Sequence, residues 1–312
     1  MAQKTTNDFL LSLLDLAELV GRSPEAVSQD IEKAFGPQRL KSLVLPQIVR
    51  RYLSSQGYQF QQRVISFQML KGGVAKTTSA LNLGIRAAQY GYKVLFIDLD
   101  QQANLTFALG CEDEDQRVFV DVLERKCSFN EAVRTVDEYI DLLPSSLNNS
   151  VLDRVLMQSH RNLATAVKNP LAEVKARYDL MIIDTAPNLS AINTAVTCAS
   201  DQVVLPINPD KFSLIGLKKN LEDLREIENE FQVQVDKRIL FTKFDGRETT
   251  SKEILSYCLE TFEDLLLKNY IRSSSEIKNS IRSNRHLFSA KSNAKADYEA
   301  VTRELLGWEK EV

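Results

Sequence analysis

A loop at residues 71–78 has the composition of a phosphate-binding loop. It reads Lys-Gly-Gly-Val-Ala-Lys-Thr-Thr and follows a short apolar run. In such loops backbone N–H groups point at phosphate oxygens, and the following helix adds its positive end. A lysine there can neutralise the β and γ phosphates, and a threonine hydroxyl can ligate Mg²⁺. The predicted phosphate-binding residues are Gly72, Gly73, Val74, Ala75, Lys76, Thr77 and Thr78.

Acidic residues end two further apolar runs. Asp98 and Asp100 follow the run that begins at Val94, and Asp184 ends the run that begins at Leu180. Carboxylates beside a phosphate loop repel one another, so they require nearby cations that offset the repulsion. An acid at the carboxyl end of a buried strand can hold Mg²⁺ through water. We therefore expect a magnesium site made by Thr77 directly and by Asp184 through water.

The elements that must position these residues alternate between strand and helix. The apolar run 64–70, a helical stretch 77–89 and the apolar run 94–98 form a βαβ unit, which implies parallel strands. Further runs have the character of buried strands. They are residues 140–143, 180–184, 203–207 and 238–241, and a helix is expected near 294–306. The predicted fold is a doubly wound, mostly parallel α/β sheet.

The first 61 residues have helical rather than strand periodicity. We expect two units, a small helical domain at 1–61 and the α/β domain at 62–312. Ala17, Gly21 and Val27 have the spacing of a helix-turn-helix, in which the second helix enters a DNA groove. The alternative is a helical dimerisation cap without DNA contact, since the second helix carries more acids than bases.

Composition and charge indicate an ordinary protein rather than one that wraps nucleic acid. The chain has 312 residues, a formal net charge of −3 and four scattered cysteines. The N-terminus lacks a signal-peptide pattern, and no window approaches the ~20 apolar residues of a membrane span. We expect a cytoplasmic protein with no membrane partner.

The three motifs together resemble those of the ParA/MinD family of ATPases with a deviant Walker A loop. The family loop reads Lys-Gly-Gly-x-Gly-Lys-Thr-Thr/Ser, and its first lysine, here Lys71, reaches the ATP of a partner subunit. The resemblance assigns water positioning to Asp100 and the Walker B role to Asp184. It places the segment 240–247 near the adenine. The chain departs from the family pattern at Ala75 and Ala103, where the family has glycine, and at Gln101, where it has proline.

This resemblance implies a slow ATPase that uses ATP and Mg²⁺, with Lys71, Lys76 and Asp100 as catalytic residues. It implies an ATP-dependent homodimer that binds DNA non-specifically and partitions a plasmid, a chromosome origin or another cargo. A ParB-like adaptor would stimulate hydrolysis. Two alternatives stay open: a nucleotide-responsive transcription regulator that uses the N-terminal segment, and a MinD-like ATPase that acts at a membrane surface.

A basic stretch between Lys268 and Lys295 is the candidate for backbone contacts to DNA. It holds seven basic residues and one acid, and much of the rest is serine and asparagine. Such a composition suits phosphate contacts without base reading. The alternative is a solvated face. The predicted DNA-binding residues are Lys278, Arg282, Arg285 and Lys291, which would associate the protein with the nucleoid.

Overall fold

The computed structural model describes residues 9–36, 42–113, 115–277, 286–289 and 292–308. Its N-terminal segment is mainly helical, as the sequence predicts, but two short strands also pair antiparallel there. The elements are β1 (Leu11–Ser12), α1 (Leu13–Val20), α2 (Pro24–Phe35), β2 (Leu43–Val44) and α3 (Pro46–Ser55). Within the described residues, no helix is long and apolar enough to cross a bilayer.

Helix α1 begins at Leu13 and ends at Val20. Ser12 is its N-cap, because the Ser12 hydroxyl accepts a hydrogen bond from the Asp15 N–H at 3.0 Å. Gly21 ends the helix in the left-handed conformation, with φ 68°.

A seven-stranded sheet forms the centre of the molecule. Its strands are β3 (Arg63–Phe67), β4 (Val94–Asp98), β5 (Arg134–Asp137), β6 (Ile140–Leu143), β7 (Leu180–Asp184), β8 (Gln202–Ile207) and β9 (Asp236–Phe241). Their order is β5-β6-β4-β7-β3-β8-β9, and the β5–β6 pair alone among the described neighbours is antiparallel. The predicted mostly parallel α/β fold is confirmed. Strand β5 was not predicted, because its residues are exposed or half-buried and form no apolar run.

Helices cover both faces of this sheet. They are α4 (Lys76–Gln89), α5 (Asn104–Ala108), α6 (Phe119–Leu123), α7 (Phe129–Ala132), α8 (Leu152–Gln158), α9 (Leu163–Ala166), α10 (Lys168–Val174), α11 (Ala191–Ala199), α12 (Lys211–Phe231), α13 (Thr249–Phe262) and α14 (Asn293–Leu305). Helix α4 lies so close to the sheet that a Cβ added at Gly84 would meet Phe96 at 2.2 Å. Glycine at this position therefore fixes the helix that starts at the phosphate loop.

The central strands bring the predicted site residues to one edge of the sheet. Strands β4, β7 and β3 are adjacent, and Asp184 pairs in register with Asp98 on one side and Phe67 on the other. The loops after β3 and β4 therefore meet beside the end of β7, as expected for the carboxyl edge of a parallel sheet.

The N-terminal helices pack on the outer side of α4 and share one hydrophobic core with it and with α14. Buried and partly buried charges hold this contact, and we call them the docking cluster: Asp15, Arg86, Lys295 and Glu299. Asp15 accepts hydrogen bonds from Arg86 at 3.1 Å and from Lys295 at 2.8 Å, and Glu299 lies 3.8 Å from Arg86. The division at residue 61 stays a prediction about folding units, although the two parts are closely packed.

An aromatic cluster around Trp308 lies in the same region. The Trp308 ring lies 5.0 to 5.5 Å from the rings of Tyr58, Phe60, Tyr90 and Tyr92. Its indole N–H donates to the Gln59 carbonyl at 3.1 Å. The chain after α3, the end of α4 and the end of α14 therefore meet at one indole ring.

Candidate active site

The phosphate loop joins β3 to the start of α4. Gly73 and Ala75 both have left-handed backbone conformations, with φ 74° and φ 69°. Ala75 is the residue that precedes the helix, where the family pattern has glycine. A non-glycine residue costs about 1 kcal/mol or more in this conformation. The departure at Ala75 therefore preserves the loop's geometry and adds strain to it.

Lys76 is buried within this loop. Its ammonium donates to the Met69 carbonyl at 3.2 Å, across the turn of the loop. Burial lowers the pKa of Lys76, and the nearby carboxylates of Asp184 and Asp100 oppose that effect. The ammonium is thus held at the start of α4, inside the loop, and its contact with phosphate stays a prediction.

Thr77 and Asp184 meet directly. The Thr77 hydroxyl donates to Asp184 Oδ2 at 2.6 Å, and Asp184 is fully buried. Its Oδ1 has no hydrogen-bond partner among the described residues. Burial raises the pKa of Asp184 well above its ordinary value, and the charge of Asp98 raises it further.

This donor set fits Mg²⁺. A threonine hydroxyl and a carboxylate oxygen are hard ligands, and Mg²⁺ commonly keeps several waters while it binds protein through few side chains. Thr77 would hold the ion directly and Asp184 through water, and a cation there would relieve the unpaired buried oxygen. When bound, the ion supplies positive charge to the phosphate oxygens.

Asp100 lies in the turn after β4. Its carboxylate accepts the Gln102 N–H at 3.0 Å, and its carbonyl accepts the Ala103 N–H at 2.9 Å. Ala103 has φ 53°, so the second departure from a family glycine also falls at a left-handed position. Asp100 is buried beside Lys76, which is consistent with the predicted role in water positioning.

Asp98 has a part that the sequence did not assign. It is fully buried and accepts both the N–H and the hydroxyl of Thr106, at 2.9 and 2.8 Å. It also accepts the Asp100 N–H at 3.2 Å. Burial raises the pKa of Asp98 to about 7. Asp98 therefore positions the loop that carries Asp100. The signal for this role in the sequence was the position of Asp98 at the end of an apolar run, two residues before Asp100.

Lys71 lies on the flank of the loop and not with Lys76. Its ammonium donates to Asp210 Oδ2 at 2.5 Å and to the Ser213 hydroxyl at 3.2 Å. Burial alone would raise the pKa of Asp210, but Lys71 and the Ser213 N–H hold it below its ordinary value. No pattern in the sequence singles out Asp210 or Ser213, because they are 139 and 142 positions from Lys71 along the chain.

The segment after β9 rests on the loop's backbone, next to the phosphate site. The Lys243 ammonium donates to the Gly73 carbonyl at 2.6 Å, and the Thr242 hydroxyl to the Val74 carbonyl at 3.2 Å. Asn208, after β8, also donates to Gly73, at 3.2 Å. Residues 242 and 243 therefore contact the phosphate loop, and the placement of 240–247 near the adenine stays a prediction.

The predicted DNA-binding residues fall outside the described part of the chain: Lys278, Arg282, Arg285 and Lys291. Three other members of the basic stretch are described, namely Lys268, Arg272 and Lys295. Arg272 forms an ion pair with Asp297 at 2.6 Å, and Lys295 belongs to the docking cluster. The charge that this stretch offers to a ligand is therefore smaller than its sequence count.

The helix-turn-helix spacing is realised in the N-terminal segment. Ala17 and Val27 are buried between α1 and α2, and Gly21 makes the turn. The exposed face of α2 carries Glu25 and Glu32 against Lys33. Two helices joined by a glycine turn are present, the assignment as a helix-turn-helix stays a prediction, and the charge of the second helix is unfavourable for phosphate contact.

The sheet, the loop and the Thr77–Asp184 pair define a P-loop nucleotide hydrolase. Residues 62–239 match the family described as an AAA domain. A virulence plasmid ParA family protein of Chlamydia psittaci is 31% identical over 239 residues, which cover 75% of this chain and 90% of that protein. The chain belongs to the ParA family, and it is a partition or positioning ATPase.

Two further comparisons agree with this assignment. The sporulation initiation inhibitor protein Soj of Bacillus subtilis is 29% identical over 212 residues, or 67% of this chain and 83% of that protein. The McdA–ATP complex from Cyanothece has a TM-score of 0.73 at 24% identity, over 81% of this chain and 99% of that one. The second comparison supports the fold.

Proposed function

We propose that this chain hydrolyses ATP slowly and uses ATP binding to form a dimer that positions a cargo on DNA. The observation that carries the proposal is the buried, unpaired oxygen of Asp184 beside Thr77 at the start of α4. A buried carboxylate oxygen that has no hydrogen-bond partner among the described residues is costly, so this site favours a state that contains a cation with its nucleotide. ATP with Mg²⁺ supplies that state.

The chemistry follows from charge and position. Lys76 neutralises phosphate charge, and Asp100 orients the attacking water. No side chain is assigned here as a general base that deprotonates this water, so intrinsic turnover is slow. A ParB-like adaptor stimulates the hydrolysis of ATP and so raises this intrinsic rate.

Dimer formation is the part of the proposal that involves Lys71. Its ammonium lies on the flank of the loop, bound to Asp210, and does not enter the phosphate cradle of its own chain. In the proposed dimer it reaches the nucleotide of the partner. ATP then acts as the signal for association.

The first experiment replaces Asp100 by alanine. We expect steady-state hydrolysis of ATP to fall by about 100-fold or more, because water is no longer oriented, while Mg²⁺·ATP still binds. Phosphate release and binding of a fluorescent ATP analogue measure the two effects. Asp113→Ala, an exposed acid beyond the site, is the matched control. Normal hydrolysis by Asp100→Ala would refute the mechanism.

DNA binding rests on the basic stretch of the sequence. Arg282→Glu with Arg285→Glu is expected to abolish ATP-dependent binding to random-sequence DNA and to leave hydrolysis intact. A gel shift with ATP, with ADP and without nucleotide measures this. Retention of the shift by the variant would exclude the stretch, and association with the nucleoid would then need another surface.

A second candidate function is nucleotide-responsive regulation of transcription. The observation in its favour is the helix-turn-helix geometry, in which Gly21 adopts φ 68° between the packed residues Ala17 and Val27. Site-specific DNA binding with ADP or without nucleotide, in the same gel shift, would favour this function over partition.

A further inference from the structure

A cavity lies at the amino edge of the central sheet, and we call it the amino-edge cavity. Its lining includes Val64 and Met181, which pair in register near the starts of β3 and β7. Both strands then run to the opposite edge, where the phosphate loop and Asp184 lie. The cavity volume is about 370 Å³, within the range of ~300–1,000 Å³ that is usual for small-molecule sites. The amino-edge cavity is therefore separate from the candidate active site.

Apolar side chains form the inner wall of this cavity. Leu171 of α10 and Cys198 of α11 join Val64 and Met181 there, and all four residues are buried. Water in the cavity lies against this apolar wall, so a ligand with an apolar body that displaces the water is favoured.

Two exposed lysines also line the cavity. Lys168 is the first residue of α10, and Lys175 directly follows its last residue. Neither ammonium forms an ion pair with the residues that the structure describes. Burial raises the pKa of the Cys198 thiol, the charge of Lys168 lowers it, and the charge of Glu230, which is not part of the lining, raises it. The charge of Lys168 therefore acts on the inner wall of the cavity.

The lining contains one carboxylate, that of Asp201, and this residue is fixed within the protein. Asp201 Oδ2 accepts the Val64 N–H at 2.7 Å, and the Asp201 N–H donates to the Val64 carbonyl at 2.9 Å. The neighbouring Ser200 hydroxyl donates to Ser66 Oγ at 2.9 Å. The described lining thus has two positive charges against one negative charge, on a wall that needs little reordering when it is covered.

We propose that the amino-edge cavity binds a small amphipathic carboxylate, with its apolar body against Leu171 and Met181 and its charged group at Lys168 and Lys175. An inorganic anion would leave the apolar wall in contact with water, and a neutral alcohol would leave the lysines without a counter-charge. The inference goes beyond the proposed function, because ATP hydrolysis, dimer formation and DNA binding do not use this edge of the sheet.

The test uses octanoate as the probe and the full chain as the protein. Isothermal titration calorimetry is expected to show saturable binding of octanoate with a dissociation constant below about 1 mM. Butanoate, which has a shorter apolar body, and 1-octanol, which has no charge, are each expected to bind at least about 10-fold more weakly. Absence of saturable octanoate binding, or equal binding of 1-octanol, would overturn the inference.

The variant Lys168→Gln with Lys175→Gln removes the two charges and keeps side chains of similar length. Its dissociation constant for octanoate is expected to rise by about 10-fold or more. Lys252→Gln, an exposed lysine on α13, is the matched control and is expected to bind octanoate like the unmodified protein. Binding of a fluorescent ATP analogue is expected to change by less than about 2-fold in both variants, which shows that they are folded. Unchanged octanoate binding by the double variant would refute the role of the lysines. Binding to vesicles of phosphatidylglycerol without binding of free octanoate would make a membrane surface the ligand instead, and this too would overturn the inference.

A second measurement locates the probe without any substitution. The rate at which methyl methanethiosulfonate modifies the Cys198 thiol at alkaline pH is measured by mass spectrometry of the peptide that contains it. Octanoate at about ten times its dissociation constant is expected to slow this reaction by about 10-fold, because it covers the inner wall. Cys258, a buried cysteine on α13, is the internal control and is expected to react at the same rate with and without octanoate. An unchanged rate at Cys198, or equal slowing at both cysteines, would contradict binding in the amino-edge cavity.

Discussion

The molecule contains two groups of largely buried charges that differ in how far the chain itself satisfies the carboxylate oxygens of their aspartates. The docking cluster between α1, α4 and α14 pairs both oxygens of Asp15, one with Arg86 and one with Lys295. The catalytic cluster, made by Lys76, Asp98, Asp100 and Asp184, has three carboxylates and one ammonium. It leaves Asp184 Oδ1 without a partner among the described residues.

The pKa values move in opposite directions in the two clusters. Burial alone would raise the pKa of Asp15, but Arg86 and Lys295 hold it below its ordinary value. The pKa of Asp184 is raised by burial and by Asp98. Aspartate therefore makes a fully paired structural contact at one end of α4, and it offers an open ligand site at the other.

The largest effect is expected from a break in the docking cluster. Asp15→Ala leaves Arg86 and Lys295 buried without their shared carboxylate, and the free energy of unfolding should fall by about 3–5 kcal/mol. Urea titration measures this loss. Asp30→Ala, which removes an exposed partner of Arg22, is the control and should have a far smaller effect. Equal effects of the two substitutions would contradict the comparison.

The catalytic cluster should respond in the opposite way. Asp184→Asn removes one of several mutually repelling carboxylates, so the unfolding free energy without ligand should stay unchanged or rise by about 1 kcal/mol. Hydrolysis of ATP should fall by about 100-fold or more. Urea titration and a phosphate-release assay measure these effects. A stability loss as large as that of Asp15→Ala would show that this carboxylate is structural.

Ligand addition should sharpen the same contrast. Mg²⁺·ADP at about 100 times its dissociation constant should raise the unfolding free energy by about 2.7 kcal/mol. Lys76→Ala should remove most of that gain, while Asp15→Ala should retain it on a lower baseline. Thermal shift with and without EDTA provides the measurement. An equal gain in Lys76→Ala would place the ligand elsewhere.

The smallest expected effect concerns the strained start of α4. Ala75→Gly relieves the left-handed strain but increases the entropy of the unfolded chain, so the net stabilisation should be about 0.5–1 kcal/mol. Ala132→Gly, in a helix away from the loop, should instead destabilise the protein and serves as the control. Destabilisation by Ala75→Gly would show that the loop gains nothing from glycine.

Local patterns predicted most of the sheet and the phosphate loop. The apolar runs before Lys71 and Asp100 form the buried strands β3 and β4. A helix begins at Pro46, a position that proline often takes. Strand β5 lacked an apolar run, and the Lys71–Asp210 pair joins residues 139 positions apart. No local pattern encodes such a pair, because it depends on where α12 packs in the finished fold.

The docking cluster was equally hidden, because each of its charged residues has the appearance of an ordinary surface residue in the sequence. Asp15 and Lys295 are 280 positions apart. The left-handed conformations of Ala75 and Ala103 were not predicted either, although the glycines of the family pattern at these positions indicate them. Glycine in a family pattern marks a backbone requirement, and that requirement persists when the residue changes.

The aromatic cluster at Trp308 gives the molecule an optical probe of its own architecture. The chain contains one tryptophan, so its intrinsic indole emission comes from one place. That place joins the chain after α3 to the ends of α4 and α14. If nucleotide binding at the other end of α4 moves the N-terminal helices, the fluorescence emission of this one tryptophan will change.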